Sequence, residues 1–345
     1  MAMDGRWHTK LGTLLPVALW AGACGPPNHS VQRSAKAAIA DVADTALPAV
    51  VGIHTSKGAI QGSAAGFLFR GKGGATLIAT NHHVIWGASA IAAETSDGES
   101  EPVDIVGVDP EVDLAVLRFH SGRSLSHVLS FQEEETLRVG DWLISMGSPG
   151  GVLNAVTVGV LSARGRVPHG TFVAESFVDY LFTDALVGPG NSGGPVLDLK
   201  GYVVGVNAAV LGGEGGLGVV IPSRLVERVV RALERNGACA HSSAGVLVAD
   251  EPALAGNAAI RVTWSDSGEG TSGLHKGDRI LKINGDRVWR AREFEWREFM
   301  AEPGTKWVLE MMREGQRISV TLILRRISQE IFAQEHGAGA QTRRE

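Results

Sequence analysis

Between residues 45 and 220 the chain alternates short apolar runs with clusters of Gly, Pro, Asn and Asp. The runs fall at 49–53, 66–69, 76–80, 114–119, 142–146, 156–162 and 202–207. Many short strands with turn residues between them predict an all-β barrel or sandwich. The period changes at Pro222-Ser223. From there Leu225, Val226, Val229, Val230 and Leu233 fall on one helical face, and Asn236-Gly237 supply the stop. A small-residue linker, 237–243, separates this first unit (45–236) from a second module of strands and a helix at 244–327. The tail, 328–345, is polar. Upstream, only 34–44 carries a weak helical pattern.

The first residues read as an address rather than a fold. Arg6 and Lys10 precede an uncharged, mostly apolar run at 11–23, too short to span a bilayer as a helix, which takes about 20 apolar residues. Its end, Ala21-Gly22-Ala23-Cys24, predicts an exported chain with a signal peptide at 1–23. The small-small-Cys ending is similar to a bacterial lipobox, which implies lipidation at Cys24 and a tether over 24–44; plain cleavage after Ala23 is the alternative.

Composition narrows the picture further. A net charge of −5 over 345 residues leaves no basic excess for nucleic acid. With 44% hydrophobic residues the chain has enough apolar material for about two cores. Two cysteines make no disulfide framework, and Cys239 is expected to be a free thiol. Glycine is the outlier at 45 residues, 18 of them from Gly140 to Gly218.

Candidate chemistry sits in that glycine-rich stretch. In Gly188-Pro189-Gly190-Asn191-Ser192-Gly193-Gly194-Pro195 a serine is flanked by residues that allow sharp turns and bare N–H groups. Serine needs a base to take its proton and fixed donors for the oxyanion it generates. Thr80-Asn81-His82-His83-Val84 places histidine at a strand end, and Val112-Asp113-Leu114 puts a carboxylate at the head of an apolar strand. His-Asp-Ser is one known order of a hydrolytic triad. Either histidine could serve as base. On an extended strand end the two point opposite ways, so only one can face the serine. No third ligand accompanies the pair, so no metal site is expected.

Together these segments resemble the HtrA/Deg family of trypsin-fold serine proteases. Val139-Gly140-Asp141-Trp142, Thr157-Val158-Gly159-Val160-Leu161-Ser162 and Gly218-Val219-Val220-Ile221-Pro222-Ser223 agree with it as well. The resemblance implies a mainly β fold: a double six-stranded β-barrel with the site between the barrels. It implies Ser192 as nucleophile, His83 as base, since only His83 precedes the family's Val, and Asp113 as its orienting partner. His82 is then expected on the surface. The N–H groups of Gly190 and Ser192 would form the oxyanion hole, and no cofactor is implied. Leu186, six residues before the serine, with Val187, Val206 and Ala208, would line an aliphatic specificity pocket. Gly188, where the family commonly has Asn, and Gly150, near a usual aromatic, lie in loops that the family uses to switch activity. Family trimers form through N-terminal aromatics; residues 36–54 contain no Phe, Tyr or Trp, so a homotrimer is expected only from the family.

In the second module, Gly273-Leu274-His275-Lys276-Gly277-Asp278-Arg279-Ile280 and Ile283-Asn284-Gly285 resemble a PDZ domain. That implies capture of C-terminal peptides by strand addition, with Ala244, Gly245 and Val246 as the carboxylate loop. The expected whole is an exported, ATP-independent endopeptidase acting on unfolded or misfolded envelope proteins. Its expected place is the periplasm, held to the outer membrane through Cys24. A non-catalytic adaptor or holdase, and a regulatory protease with one partner, remain as alternatives.

Overall fold

The computed structural model describes residues 29–132, 137–148, 154–165, 178–212, 215–254, 257–265 and 273–327. The signal peptide, Cys24, Gly150 and the polar tail lie outside them.

Helix α1 (His29–Ala46) extends the weak pattern in both directions and leads into the first barrel, against which Val42 and Ala46 are buried. That barrel comprises β1 (Val50–Lys57), β2 (Ile60–Arg70), β3 (Thr76–Thr80), β4 (Ala90–Glu94), β5 (Ser100–Asp109) and β6 (Leu114–Phe119), closed in the order β1-β2-β3-β6-β5-β4. A single helical turn, α2 (His82–Ile85), follows β3. The second barrel comprises β7 (Trp142–Gly147), β8 (Ala155–Gly165), β9 (Tyr180–Thr183), β10 (Pro195–Leu197), β11 (Val203–Leu211) and β12 (Leu217–Pro222), closed as β10-β11-β12-β9-β8-β7. Closure leaves neither barrel with a free strand edge.

Helix α3 (Ser223–Asn236) starts and stops where the sequence predicts. Its Gly237 takes the left-handed conformation (φ +70°) and donates back to Leu233 O. Its five aliphatic residues are all fully buried, each worth about 1.5–3 kcal/mol of apolar burial. They join a core that runs continuously from Val50 and Phe67 of the first barrel to Met146 and Val206 of the second.

The C-terminal module is a β-rich unit with its own core. It holds β13 (Ser242–Ser243), β14 (Val246–Leu254), β15 (Asn257–Ser265), β16 (Arg279–Ile283), β17 (Asp286–Arg287), helix α4 (Ala291–Met300), β18 (Lys306–Arg313), β19 (Gln316–Ile323) and β20 (Arg325–Arg326). The main sheet runs β14-β15-β16-β18-β19, with β17 paired to β16. At the β16–β17 hairpin both Asn284 (φ +51°) and Gly285 (φ +90°) have positive φ, as a tight two-residue Asn-Gly turn requires. Asp278, 2% exposed, is gripped by Arg313 at 2.8 and 2.7 Å.

The expected linker is packed. Residues 237–243 are not a loose spacer: β13 pairs with β20, and His241, Ser242 and Ser243 are buried. Phe299 of α4 belongs to the same apolar core as the barrels. A stretch of small residues carries no packing signal of its own; here two modules close on it from either side.

Candidate active site

Strand pairing brings the first two site residues together. Thr80 at the end of β3 is opposite Ala115 of β6, so the residues just after β3 meet those just before β6. His83 and Asp113, thirty positions apart, thereby become neighbours. The Asp113 carboxylate accepts from the His83 backbone N–H at 2.8 Å and pairs with His83 Nδ1 at 2.7 Å. Its backbone carbonyl accepts from Asn81 Nδ2 at 2.9 Å and from His82 N–H at 3.2 Å. Asp113 sits at φ +61°, a left-handed conformation that costs a non-glycine residue about 1–3 kcal/mol, and these bonds hold it there.

Burial opposes a charge on His83, but the hydrogen bond its ring donates to Asp113 and the negative charge of that carboxylate outweigh this, and the pKa is raised above the ordinary 6.5. The direction suits a base held in one orientation by a carboxylate on Nδ1, which leaves Nε2 to exchange a proton.

His82 differs from its expected surface position. The chain leaves β3 into the helical turn α2, so successive side chains are turned by about 100° rather than 180°. His82 is half-buried beside the pair. Burial, reinforced by His83, lowers its pKa despite the opposite pull of Asp113 and Asp109.

Ser192 is partly exposed on a turn wedged between the barrels. Its carbonyl accepts from Ala65 N–H of β2 at 3.0 Å. On the far side Gly193 N–H donates to Asn207 O at 2.9 Å, and Asn207 N–H donates to Gly194 O at 3.0 Å. Gly193 has φ +82°, and a Cβ there would lie 2.2 Å from Thr80 Oγ1 and 3.0 Å from Asn81 N; one on Gly194 would lie 2.1 Å from Met146 O. The glycines therefore let the serine turn press directly against the segment that carries His83. The preceding turn is closed by Asn191 N–H to Gly188 O at 3.0 Å, with Pro189 and Gly190 (φ +99°) at its corners. Among the described residues, neither Gly190 N–H nor Ser192 N–H has a backbone acceptor, and no hydrogen bond joins Ser192 Oγ to His83.

The expected pocket residues separate into two groups. Val187, Val206 and Ala208 are buried, and Val187 lies over Gly218, where a Cβ would meet its Cγ2 at 2.6 Å. Leu186 differs: the residue is 68% exposed, and it is the carbonyl that is anchored, by Thr157 Oγ1 at 2.8 Å and Asn191 Nδ2 at 3.3 Å. Position six before the serine thus carries an outward side chain on a backbone-tethered wall.

Several supporting residues carried no sequence signal of their own. Asn207, fully buried, binds Ser145 Oγ (2.9 Å) as well as the serine turn. Thr80 Oγ1 donates to Ala65 O at 2.7 Å, tying β3 to β2 beside Ser192. The Thr80-Asn81 pair preceding the histidines was the available hint.

In the C-terminal module, Ala244, Gly245 and Val246 are buried. Ala244 N–H donates to the Glu298 carboxylate, and Gly245 N–H donates to Ser243 Oγ at 3.0 Å. Two of the expected carboxylate-binding amides are thus occupied from within. Cys239 is a free thiol whose pKa burial pushes up to about 11. Its sulfur, an Asp109 oxygen and a His241 nitrogen lie within 4.8 Å of one another. Arg228 Nη1 is 3.3 Å from both the thiol and His241 Nδ1, so the cation serving this cluster is the protein's own guanidinium.

Comparison with known proteins agrees with this geometry. Residues 64–206, which contain His83, Asp113 and Ser192, match the trypsin-like peptidase domain. The probable periplasmic serine endoprotease DegP-like of Chlamydia pneumoniae is 36% identical over 277 residues, covering 77% of this chain and 55% of that protein. Its Bartonella henselae counterpart is 32% identical, with 77% and 55% covered. The chain thus spans about half the length of the curated relatives it matches. Among solved structures, the HtrA-type protease AlgW with a tripeptide superposes with a TM-score of 0.72 at 29% identity, covering 84% of this chain and 97% of that one. The serine endoprotease from Yersinia pestis gives 0.63 at 27%, with 84% and 98% covered. Twin six-stranded barrels with a His–Asp pair and a glycine-clamped serine turn at their junction, taken with these relatives, place the chain in the HtrA family of serine proteases.

Proposed function

We propose that the chain is a serine endopeptidase that hydrolyses peptide bonds through an acyl-enzyme. The observation that carries this reading is the His83–Asp113 pair seated beside a serine turn whose Gly193 lies against Thr80 and Asn81. Ser192 Oγ attacks the scissile carbonyl as its proton passes to His83 Nε2. The N–H groups of Gly190 and Ser192 receive the oxyanion. His83 then gives the proton to the leaving amine, and water, activated by the same imidazole, releases the acid and restores Ser192. Asp113 holds the ring and stabilises the imidazolium.

The finer reading is a periplasmic protease acting on unfolded or misfolded envelope proteins, supported by the names of its relatives and the signal-like N-terminus. A lipid anchor at Cys24 fits the same picture. The C-terminal module is read as a PDZ domain that binds C-terminal peptides; with Ala244 and Gly245 already hydrogen-bonded, such capture requires the Glu298 carboxylate to give way. A fluorophosphonate probe is expected to label the wild type and not Ser192→Ala, and casein hydrolysis to follow labelling. An unlabelled wild type that cleaves no casein overturns the enzyme reading in favour of a binding protein.

A further inference from the structure

We propose that Asp109 is a positioning residue for the catalytic pair, gripping the turn that carries Asp113 with one carboxylate oxygen and the docked C-terminal module with the other. The inference rests on the peptidase reading and concerns how its base is held.

Asp109 ends β5, and the turn 110–113 leads from it to β6. Its side chain is 2% exposed. Oδ1 accepts from Glu111 N–H at 3.1 Å and Val112 N–H at 3.3 Å, which shapes the turn that delivers Asp113 in its left-handed conformation. A non-glycine residue stays in that conformation only when its surroundings over-determine it. Oδ2 faces the other way and meets His241 Nε2 at 2.7 Å, with His241 equally buried.

The tautomer follows from the neighbours. Arg228 has only donors, and its Nη1 lies 3.3 Å from His241 Nδ1, so Nδ1 accepts and the ring proton sits on Nε2, directed at Asp109. His241 stacks flat on Phe299 of α4, with centroids 4.0 Å apart and planes at 4°. Arg228 Nη2 also donates to Ala301 O at 3.0 Å, and Ser242 Oγ to Glu298 O at 2.6 Å. The seat of α4 is therefore joined through His241 to Asp109, through Asp109 to the 110–113 turn, and through Asp113 to His83. Among the described residues, the charged and titratable groups against these contacts include Arg228 and Cys239 at His241, His82 beside Asp113 and Asp109, and Glu111 on the turn itself, whose Oε2 is buried.

The test uses the full chain with His241→Phe, His241→Gln and Asp109→Asn. Phe keeps the stack on Phe299 and removes the proton to Asp109; Gln restores a donor. Asn keeps an acceptor for the two turn amides but opposes its NH₂ to His241 Nε2–H. Two readouts are taken: kcat and KM on a fluorogenic peptide, and titration of the His83 ring by NMR. For Phe and Asn, kcat is expected to fall about tenfold with KM within about twofold, with the His83 pKa moving down toward its ordinary value. Gln is expected to retain most of the wild-type behaviour. The double variant His241→Phe/Asp109→Asn should lose less than the product of the single losses. Folded variants with wild-type kcat and wild-type His83 titration overturn the proposal. If one variant fails to fold, the other decides. If neither folds, hydrogen exchange in the wild type decides: core-like protection of the Glu111 and Val112 amides supports the grip, and loop-like exchange overturns it. The NMR titration still reports on Asp109 if the wild type proves unlabelled by fluorophosphonate, so failure of the peptidase reading is distinguishable from failure of this one.

Discussion

The two halves of the site are held in different ways. The first barrel's half is bonded through the functional atoms themselves: both Asp113 oxygens reach His83, and its carbonyl is bound twice more. The second barrel's half is held through its backbone at the ends. Ser192 and its glycines are clamped by Ala65 and Asn207, while Leu186 and Pro189 upstream are exposed and the Gly190 and Ser192 amides have no backbone acceptor among the described residues. Asn191 Oδ1 and Ser148 Oγ, beside this turn, are buried without a hydrogen-bond partner there. The base is thus assembled before substrate arrives, whereas the acceptor half offers donors that a peptide carbonyl can satisfy. The asymmetry suits the chemistry, since a base must be oriented at all times and an oxyanion exists only in transit.

The most severe way to break the second half is Ser192→Ala. It is expected to reduce kcat by about 10⁶-fold with little change in thermal unfolding, because the side chain is partly exposed. Initial rates with a fluorogenic peptide read this directly.

Breaking the first half with Asp113→Asn is expected to cost about 10⁴-fold in kcat. Asn tolerates the left-handed backbone, so the fold should survive and the loss be confined to orientation of the ring. In the wild type, His83 must be neutral to act as base, and its pKa is raised by Asp113. The acid limb of kcat/KM is therefore expected above pH 6.5, with activity lost as pH falls through that pKa, and it should move to lower pH in the Asn variant.

Gly193→Ala probes the clamp between the halves. With φ +82° and Thr80 Oγ1 2.2 Å from the added carbon, it is expected to destabilise the chain by about 1–3 kcal/mol in denaturant unfolding. It should also slow fluorophosphonate labelling of Ser192, because the turn that presents the serine is displaced. The smallest effect is expected from Leu186→Ala. An exposed side chain on a backbone-tethered wall should change stability by no more than about 0.5 kcal/mol and KM by a few-fold. A loss of stability well beyond that would show that Leu186 packs inward.

Much of this was legible without coordinates. Alternating apolar runs placed β3 and β6 to the residue, at 76–80 and 114–119, because a buried strand writes its length in consecutive apolar side chains. Helix α3 was equally plain, from its apolar stripe and its Asn-Gly stop. His82 was not, because a single turn of helix after a strand leaves too few residues for a period to register. The outward direction of Leu186 was not legible for a related reason: spacing from the serine fixes a backbone position, while the direction of its side chain depends on what Thr157 and Asn191 bind.

By itself, then, the sequence determined the strands, the main helix and the identity of the triad candidates, since each is encoded in local period or in a short motif. Tertiary structure alone decided which side chains meet. The pairing of Thr80 with Ala115 joined His83 to Asp113. Docking of α4 turned an apparent linker into a buried Asp109–His241–Phe299 contact. Contacts between residues as far apart as 109 and 241 depend on the packing of whole modules, and no window of the chain short enough to show a period contains both partners.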